Sequence, residues 1–249
     1  MLALFIKTTM SSSTMIIQPE SPSSHFIDDI EPEYDYVLED LDVDEPAAEL
    51  IFDWDDTLLP STWLNLKGLR LDYPEVIPED VVQALAPHDA AVYKVLSRAM
   101  TYGNCVIITN AERGWVELSA ARFMPKTESL LSQIKVISAR TQYEPEYPDN
   151  PLEWKIHAFQ EQLDECNRYM ADGNEKNIIS FGDSIHERDA VQQAGKWLPN
   201  AFIKSVKFVE RPTLDQLQRE VALLDKCLDH ICSCRSNLDL MLTLEILYE

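Results

Sequence analysis

The fold of this chain is decided by the stretch Leu50-Ile-Phe-Asp-Trp-Asp-Asp-Thr-Leu-Leu-Pro60. Its first three residues are apolar, as expected of a strand that is buried on both faces of a parallel sheet. Three carboxylates then follow within four positions, at Asp53, Asp55 and Asp56. Carboxylates this close repel one another, and such an arrangement is tolerated where a cation lies among them. Taken alone the acids could also form an acidic turn, but open α/β sheets bind ligands at the carboxyl ends of strands. The stretch therefore predicts a strand and a site.

From residue 49 onward, apolar runs of strand length alternate with segments of helical period, which is typical of a parallel sheet with crossover helices. The predicted strands are Leu50–Phe52, Cys105–Ile108, Ile134–Ile137, Ile178–Phe181 and Phe202–Val206. The predicted helices are Ala86–Met100, Gly114–Phe123, Pro151–Cys166 and Glu187–Ala194. The fold class indicated is α/β, a doubly wound, Rossmann-like parallel sheet.

Three regions are predicted along the chain: an acidic N-terminal segment at 1–48, an α/β domain at 49–210 and a helical C-terminal extension at 211–249. Residues 20–49 hold twelve acidic residues and no Lys or Arg, which predicts a disordered, solvated segment. Aromatic and aliphatic residues among these acids leave open a short recognition element for a basic partner. Apolar residues spaced three and four apart predict a long helix in the extension: Leu214, Leu217, Val221 and Leu224.

The charge of the chain narrows the classes of partner. The 249 residues include 21 Lys plus Arg and 43 Asp plus Glu, a formal net charge of −22, which disfavours nucleic acid and anionic membranes as partners. Apolar residues make up 45%, enough for a core, but no apolar run approaches the roughly 20 residues of a membrane span. The five cysteines are an odd number and are interpreted as reduced thiols.

The expected location is the cytoplasm. At the N-terminus the only positive charge, Lys7, follows a six-residue apolar stretch, which is the reverse of the order in a secretory signal peptide. Residues 8–18 are rich in Ser and Thr and free of acids, which leaves import into an organelle open, although they contain no Arg.

Three further groups of polar residues follow the later predicted strands in order. They are Thr109 with Asn110, then Lys155 near the start of a helix, then Gly182-Asp183 followed by Glu187 and Asp189. Together with the first stretch, this order resembles the haloacid dehalogenase superfamily. The four motifs of that superfamily are Asp-x-Asp-x-Thr, a Thr or Ser, a Lys or Arg, and Gly-Asp with a second acid. The resemblance spans residues 49 to about 206, and its strength lies in four motifs in order at four strand ends.

The resemblance implies a phosphatase that acts through an aspartyl-phosphate. Asp53 would be the nucleophile, and Asp55 would protonate the leaving oxygen and later accept a proton from water. Thr109 would hydrogen-bond the transferred phosphoryl group, and Lys155 would neutralise the charge that phosphate and nucleophile share. On this reading, 49–210 is a catalytic domain.

The implied cofactor is Mg²⁺, held by the carboxylates of Asp53 and Asp183 and the main-chain carbonyl of Asp55, an oxygen-only set that suits this ion. Glu187 is taken as the second acid of the last motif, with Asp189 as the alternative. Thr57, the threonine of the first motif, is a supporting residue.

Substrate contacts are expected from residues that follow the strand ends. Thr109, Asn110 and Lys155 belong to this set, and Arg113 is a candidate because a guanidinium suits bidentate phosphate recognition. Arg140 and Arg188 follow strand ends as well. The alternative for the arginines is an ordinary surface position, paired with neighbouring carboxylates.

Little room is left for an inserted cap domain, which governs substrate range in this superfamily. The spans 58–104 and 110–154 must each contain a crossover helix, so the resemblance implies a minimal cap and an open site. An open site favours a bulky substrate such as a phosphoprotein. Two alternatives remain: a catalytically silent module that binds partners through the acidic segment or the C-terminal helices, and a receiver-type domain that is phosphorylated on Asp.

Overall fold

A computed structural model describes residues 47–72, 76–169 and 175–248. The acidic segment predicted at 1–48 lies outside the described residues, except for 47 and 48, which begin the first strand. Among the described residues, no helix combines the length and the apolar character needed to cross a bilayer.

A six-stranded sheet, parallel throughout, forms the centre of the molecule. Its strands are β1 Ala47–Phe52, β2 Gly103–Thr109, β3 Lys135–Ser138, β4 Lys176–Gly182, β5 Ala201–Lys207 and β6 Leu238–Met241. They lie side by side in the order β3-β2-β1-β4-β5-β6. The predicted α/β class and parallel sheet are confirmed, and five of these strands overlap the predicted ones.

Helices connect the strands on both faces of the sheet. They are α1 Ser61–Leu66, α2 Glu79–Tyr102, α3 Trp115–Phe123, α4 Pro125–Glu128, α5 Ala139–Tyr143, α6 Pro151–Tyr169, α7 Ile185–Ala194, α8 Leu214–Ser233 and α9 Leu244–Leu247. The sequence pattern places the start of α2 at Ala86, seven residues later than the structure does. In the structure Pro87 lies inside the helix.

The second half of the central strand β1, Leu50–Phe52, is continuously apolar because the sheet is covered on both faces. Leu50 and Phe52 pack into one core cluster, and Ile51 points to the other face of the sheet and packs into a second cluster. All three side chains are fully buried. Alternate residues of a strand point to opposite faces, so a strand covered on both sides is mostly apolar. The exception in β1 is the buried Glu49, whose carboxylate accepts hydrogen bonds from Asn104 and Gln162.

The region 211–249 is more than the helical extension that the sequence predicts. The helix α8 is present and packs against α2, and its stripe is buried: Leu214, Leu217, Val221 and Leu224. The strand β6 then follows and pairs with β5. Its sequence, Leu-Asp-Leu-Met, has no continuous apolar run, so β6 escaped prediction. The apolar stripe of α8 faces its own core and is therefore not a surface for a partner.

Candidate active site

The polar residues of the motifs meet where the order of the strands reverses. The chain passes from β1 outward to β3 and then returns to β4, which pairs with the other side of β1. The backbone N–H of Asp53 donates to the carbonyl of Phe181 at 2.8 Å, so the ends of β1 and β4 adjoin. Doubly wound sheets bind ligands in the crevice at this point. A cleft of about 320 Å³ lies here, lined by Asp53, Asp55, Asp56, Thr109, Asn110, Ala111, Lys155, Asp183, Ser184, His186 and Glu187.

Lys155, near the start of α6, is the central cation of the cleft. Its Nζ donates to Asp53 Oδ1 at 2.6 Å, to the carbonyl of Ile108 at 2.5 Å and to Glu187 Oε1 at 2.9 Å. The three bonds use all three protons of an ammonium group. Burial alone would lower the pKa of Lys155, but the attraction of Asp53 and Glu187 outweighs it and raises the pKa. The side chain, 1% exposed, is therefore held as a charged group.

Glu187 is the second acid of the last motif that reaches the cleft. Its Oε2 accepts the backbone N–H of Ser184 at 3.1 Å in the capping box that begins α7. Burial alone would raise the pKa of Glu187, but Lys155 holds it below its usual value. Asp189, the alternative, lies outside the cleft lining and pairs with Arg188.

The glycine of the Gly-Asp motif makes room for this glutamate. A Cβ at Gly182 would lie 2.4 Å from Glu187 Cγ and 2.8 Å from Glu187 Cβ. Both distances are shorter than any stable contact between carbon atoms. Position 182 therefore has to be glycine for Glu187 to fold back onto the strand end and reach Lys155.

Two carboxylates, Asp53 and Asp183, face the cleft in a way that fits a cation. Burial, followed by the negative charges of Asp53 and Glu187, raises the pKa of Asp183 to about 8. Burial is also the largest cause of the raised pKa of Asp53, with Lys155 acting in the opposite direction. A divalent cation between the two acids would relieve this repulsion. In the described ranges, no three or more His, Cys, Asp or Glu side chains are close enough together to form a metal cluster.

Asp55 is held by a residue that the sequence analysis missed. The indole Nε1 of Trp115 donates to Asp55 Oδ1 at 3.0 Å and to Oδ2 at 3.2 Å. Burial raises the pKa of Asp55, and the hydrogen bond from Trp115 opposes that rise. A tryptophan at the start of the helix after the second strand was the available signal. Nothing in the sequence connects this tryptophan with Asp55, because 60 residues separate them.

The third acid of the first stretch, Asp56, accepts hydrogen bonds from the first two residues of α1. Its Oδ1 accepts the N–H of Thr62 at 2.8 Å and the hydroxyl of Ser61 at 3.2 Å, and its Oδ2 accepts the hydroxyl of Thr62 at 2.5 Å. It adopts a left-handed backbone with φ of 53°, which aspartate tolerates better than most residues. The carboxylate therefore caps the first turn of α1.

The remaining predicted residues divide between the cleft and its surroundings. Thr109 and Asn110 line the cleft, and Asn110 Nδ2 donates to the carbonyl of Pro151 at 3.1 Å, at the start of α6. Arg113 is exposed and lies outside the lining. Thr57 is fully buried outside the lining, and its hydroxyl meets no hydrogen-bond partner within the described part of the chain.

The other two arginines are engaged in ion pairs. Arg188 binds Asp239 of β6 through Nε at 2.8 Å and through Nη2 at 2.5 Å. Arg140 donates to Glu144 at 2.9 Å on the surface of α5. The structure thus favours pairing with neighbouring carboxylates, and not phosphate recognition, for these two arginines.

No protein-family model, curated protein or solved structure matches this chain.

Proposed function

We propose that this chain is a Mg²⁺-dependent phosphomonoester hydrolase of the haloacid dehalogenase type, which forms an aspartyl-phosphate on Asp53. The observation that carries the proposal is the bond from Lys155 to Asp53 in a cleft that also holds Thr109 and Asp183. These four residues come from four separate segments of the sequence. A nucleophile, a cation and a hydroxyl donor within one cleft are the parts that phosphoryl transfer requires.

In the first step, a carboxylate oxygen of Asp53 attacks phosphorus, and the bond from phosphorus to the ester oxygen breaks. Asp55, which lines the same cleft, gives its proton to the departing oxygen. Lys155 balances the negative charge on the phosphoryl group, and the hydroxyl of Thr109 donates to one of its oxygens.

In the second step, water attacks the phosphorus of the aspartyl-phosphate. Asp55, now a carboxylate, accepts a proton from this water, and the Asp53 carboxylate departs and is regenerated. Inorganic phosphate is the product. Mg²⁺, held by Asp53, Asp183 and the carbonyl of Asp55, would supply positive charge for the phosphoryl oxygens. Lys207 steadies this end of the site, since its Nζ donates to the Asp183 carbonyl at 2.9 Å.

A minimal cap is part of the proposal. Between β1 and α2 the described residues form one short helix, α1, and between β2 and α6 they form α3, α4, β3 and α5. Such a cleft would accept a phosphate group on a large molecule. A phosphorylated protein is the substrate class proposed, and the net charge of −22 favours a neutral or basic one.

A receiver-type domain is disfavoured by the topology. Receiver domains of the CheY type have the strand order 2-1-3-4-5, whereas the order here is β3-β2-β1-β4-β5-β6. In the receiver order the first strand lies between the second and the third, whereas here β1 lies between β2 and β4.

The test is the hydrolysis of para-nitrophenyl phosphate by the full chain, with and without Mg²⁺. We expect turnover that requires Mg²⁺ and is abolished in Asp53→Asn. The matched control is Asp189→Asn, which removes one negative charge near the cleft and should keep activity, whereas Glu187→Gln should lose most of it.

The proposal would be overturned by a folded wild-type protein that shows no turnover and, with Mg²⁺ present, binds neither beryllium fluoride nor aluminium fluoride. Full activity in Asp53→Asn would likewise contradict it, since no nucleophile would remain at the end of β1.

A further inference from the structure

We infer that Trp115 is a positioning residue, which holds the Asp55 carboxylate at the wall of the cleft for its two proton transfers. The inference rests on the proposed function, because it assigns Trp115 a part in the chemistry proposed for Asp55. It begins from one contact: a single indole N–H lies 3.0 Å and 3.2 Å from the two oxygens of the same carboxylate.

A second indole bond ties the same helix, α3, to the first motif. Ser119 lies four residues after Trp115 on α3, hence on the same face. Its Oγ accepts the indole N–H of Trp54 at 2.9 Å. Two adjacent residues of the first motif, Trp54 and Asp55, are therefore tied to one face of one helix. The bond between Trp54 and Ser119 is buried, and the bond between Trp115 and Asp55 borders the cleft.

The start of α3 is defined by Gly114, which places Trp115 at the first helical position. Gly114 has a φ of 89°, in the left-handed region where a side chain would be strained. The chain therefore turns sharply between the end of β2 and α3, and this turn brings the indole back toward β1.

The tryptophan N–H suits this task because the indole nitrogen cannot accept a hydrogen bond. An indole is a donor only, so it cannot compete with Asp55 for the proton that the leaving oxygen needs. Without this bond, Asp55 loses the stronger of its two side-chain donors and keeps only the interaction with Ser61, so its carboxylate is held less firmly. A displacement of about 1 Å at a reacting group can cost on the order of a hundredfold in rate. The inferred loss falls on proton transfer rather than on nucleophilic attack.

Because the loss should affect proton transfer and not nucleophilic attack, the test compares kcat/KM for two substrates that differ in their need for a proton. Dinitrophenyl phosphate has a leaving oxygen that departs without a proton, whereas an alkyl phosphate needs one. For Trp115→Phe we expect kcat/KM to fall roughly 10- to 100-fold with the alkyl phosphate and less than about 3-fold with dinitrophenyl phosphate. Asp55→Asn should show the same selectivity, and adding Trp115→Phe to it should cost little more.

Ser119→Ala is the matched control, since it removes the other indole bond of α3 and leaves Asp55 untouched. It should lower kcat/KM for both substrates equally or not at all. Trp115→His, which restores an N–H donor, should recover part of the alkyl phosphate activity.

The fold of the variants and the contact between Trp115 and Asp55 are checked by measurements that do not depend on catalysis. Far-ultraviolet circular dichroism should show that Trp115→Phe is folded, and the indole proton resonance lost in that variant should shift in Asp55→Asn. An equal loss with both substrates, no loss at all, or an unshifted indole resonance would overturn the inference. If the wild type itself is inactive, or if Asp53→Asn stays active, the proposed function fails first and the inference falls with it.

Discussion

Lys155 donates to Asp53 at 2.6 Å and to Glu187 at 2.9 Å, and all three side chains are buried at the carboxyl edge of the sheet. The lysine comes from α6, Asp53 from the end of β1 and Glu187 from α7. One ammonium group therefore joins three parts of the chain in addition to its proposed part in catalysis.

Replacing Lys155 should destabilise the fold as well as abolish activity. Lys155→Met leaves two buried carboxylates without their cation, and removing one partner of a buried pair costs about 3–5 kcal/mol. Urea unfolding at neutral pH measures the loss. The control is Lys94→Met, because Lys94 pairs with Asp225 at 2.7 Å but is 64% exposed. Its cost should stay below about 1 kcal/mol. Similar losses in the two variants would show that burial does not strengthen the Lys155 pair.

Gly182→Ala should displace Glu187 from Lys155. The added Cβ would meet Glu187 Cγ at 2.4 Å, so the side chain or the start of α7 must shift. We expect a loss of about 1–3 kcal/mol in the free energy of unfolding together with reduced phosphatase turnover. Ser180→Ala, on the same strand, adds no atom and should leave both quantities nearly unchanged. Wild-type turnover and stability in Gly182→Ala would contradict the close packing described for this motif.

A pH dependence of stability should arise at Glu220, a buried residue of α8. Burial raises its pKa to about 7, while the Val209 N–H, at 2.7 Å from Oε1, and the charge of Lys207 act in the opposite direction. The folded state therefore binds more protons than the unfolded state between about pH 4.5 and 7. In this window the stabilising contribution of the protonated group is lost as the pH rises.

Glu220→Gln, which is neutral at every pH, should abolish that loss. We expect the variant to be more stable than the wild type at about pH 8, by up to about 3 kcal/mol, and nearly equal to it at about pH 5. Urea unfolding at both pH values measures the difference, and Glu245→Gln is the exposed control. A difference that does not change with pH would contradict the assignment to Glu220.

The pair of Arg188 and Asp239 should couple β6 to the site. Arg188 follows Glu187 in α7 and binds Asp239 with two nitrogens. Double-mutant cycles with alanine should give a coupling of about 1 kcal/mol or more for this partly buried pair. The more exposed pair of Arg140 and Glu144, four residues apart, should give about 0.3–0.5 kcal/mol. Equal couplings would mean that this ion pair contributes no more to the attachment of β6 than a more exposed pair would.

Local pattern was sufficient for five of the six strands and for the acids at their ends. The stretches Leu50–Phe52 of β1 and Cys105–Ile108 of β2 are buried on both faces of the sheet, so they are continuously apolar and differ clearly from the sequence around them. The motif residues could be placed at one edge because parallel strands all end on the same side of a sheet. β6 has four residues and no such run, and its place depends on β5 and Arg188.

The order of strands and the partners of each acid were decided by tertiary structure. Asp53, Asp55 and Asp56 are the same residue type at the end of one strand, but they bind Lys155, Trp115 and the backbone of Thr62 respectively. Lys155 and Trp115 are distant in sequence, and the choice between Glu187 and Asp189 depended on which one α7 turns toward the cleft. Residue type and spacing can place carboxylates at a strand end. Only the packing of helices from elsewhere in the chain determines which of them is neutralised, which is held by a neutral donor and which caps a helix.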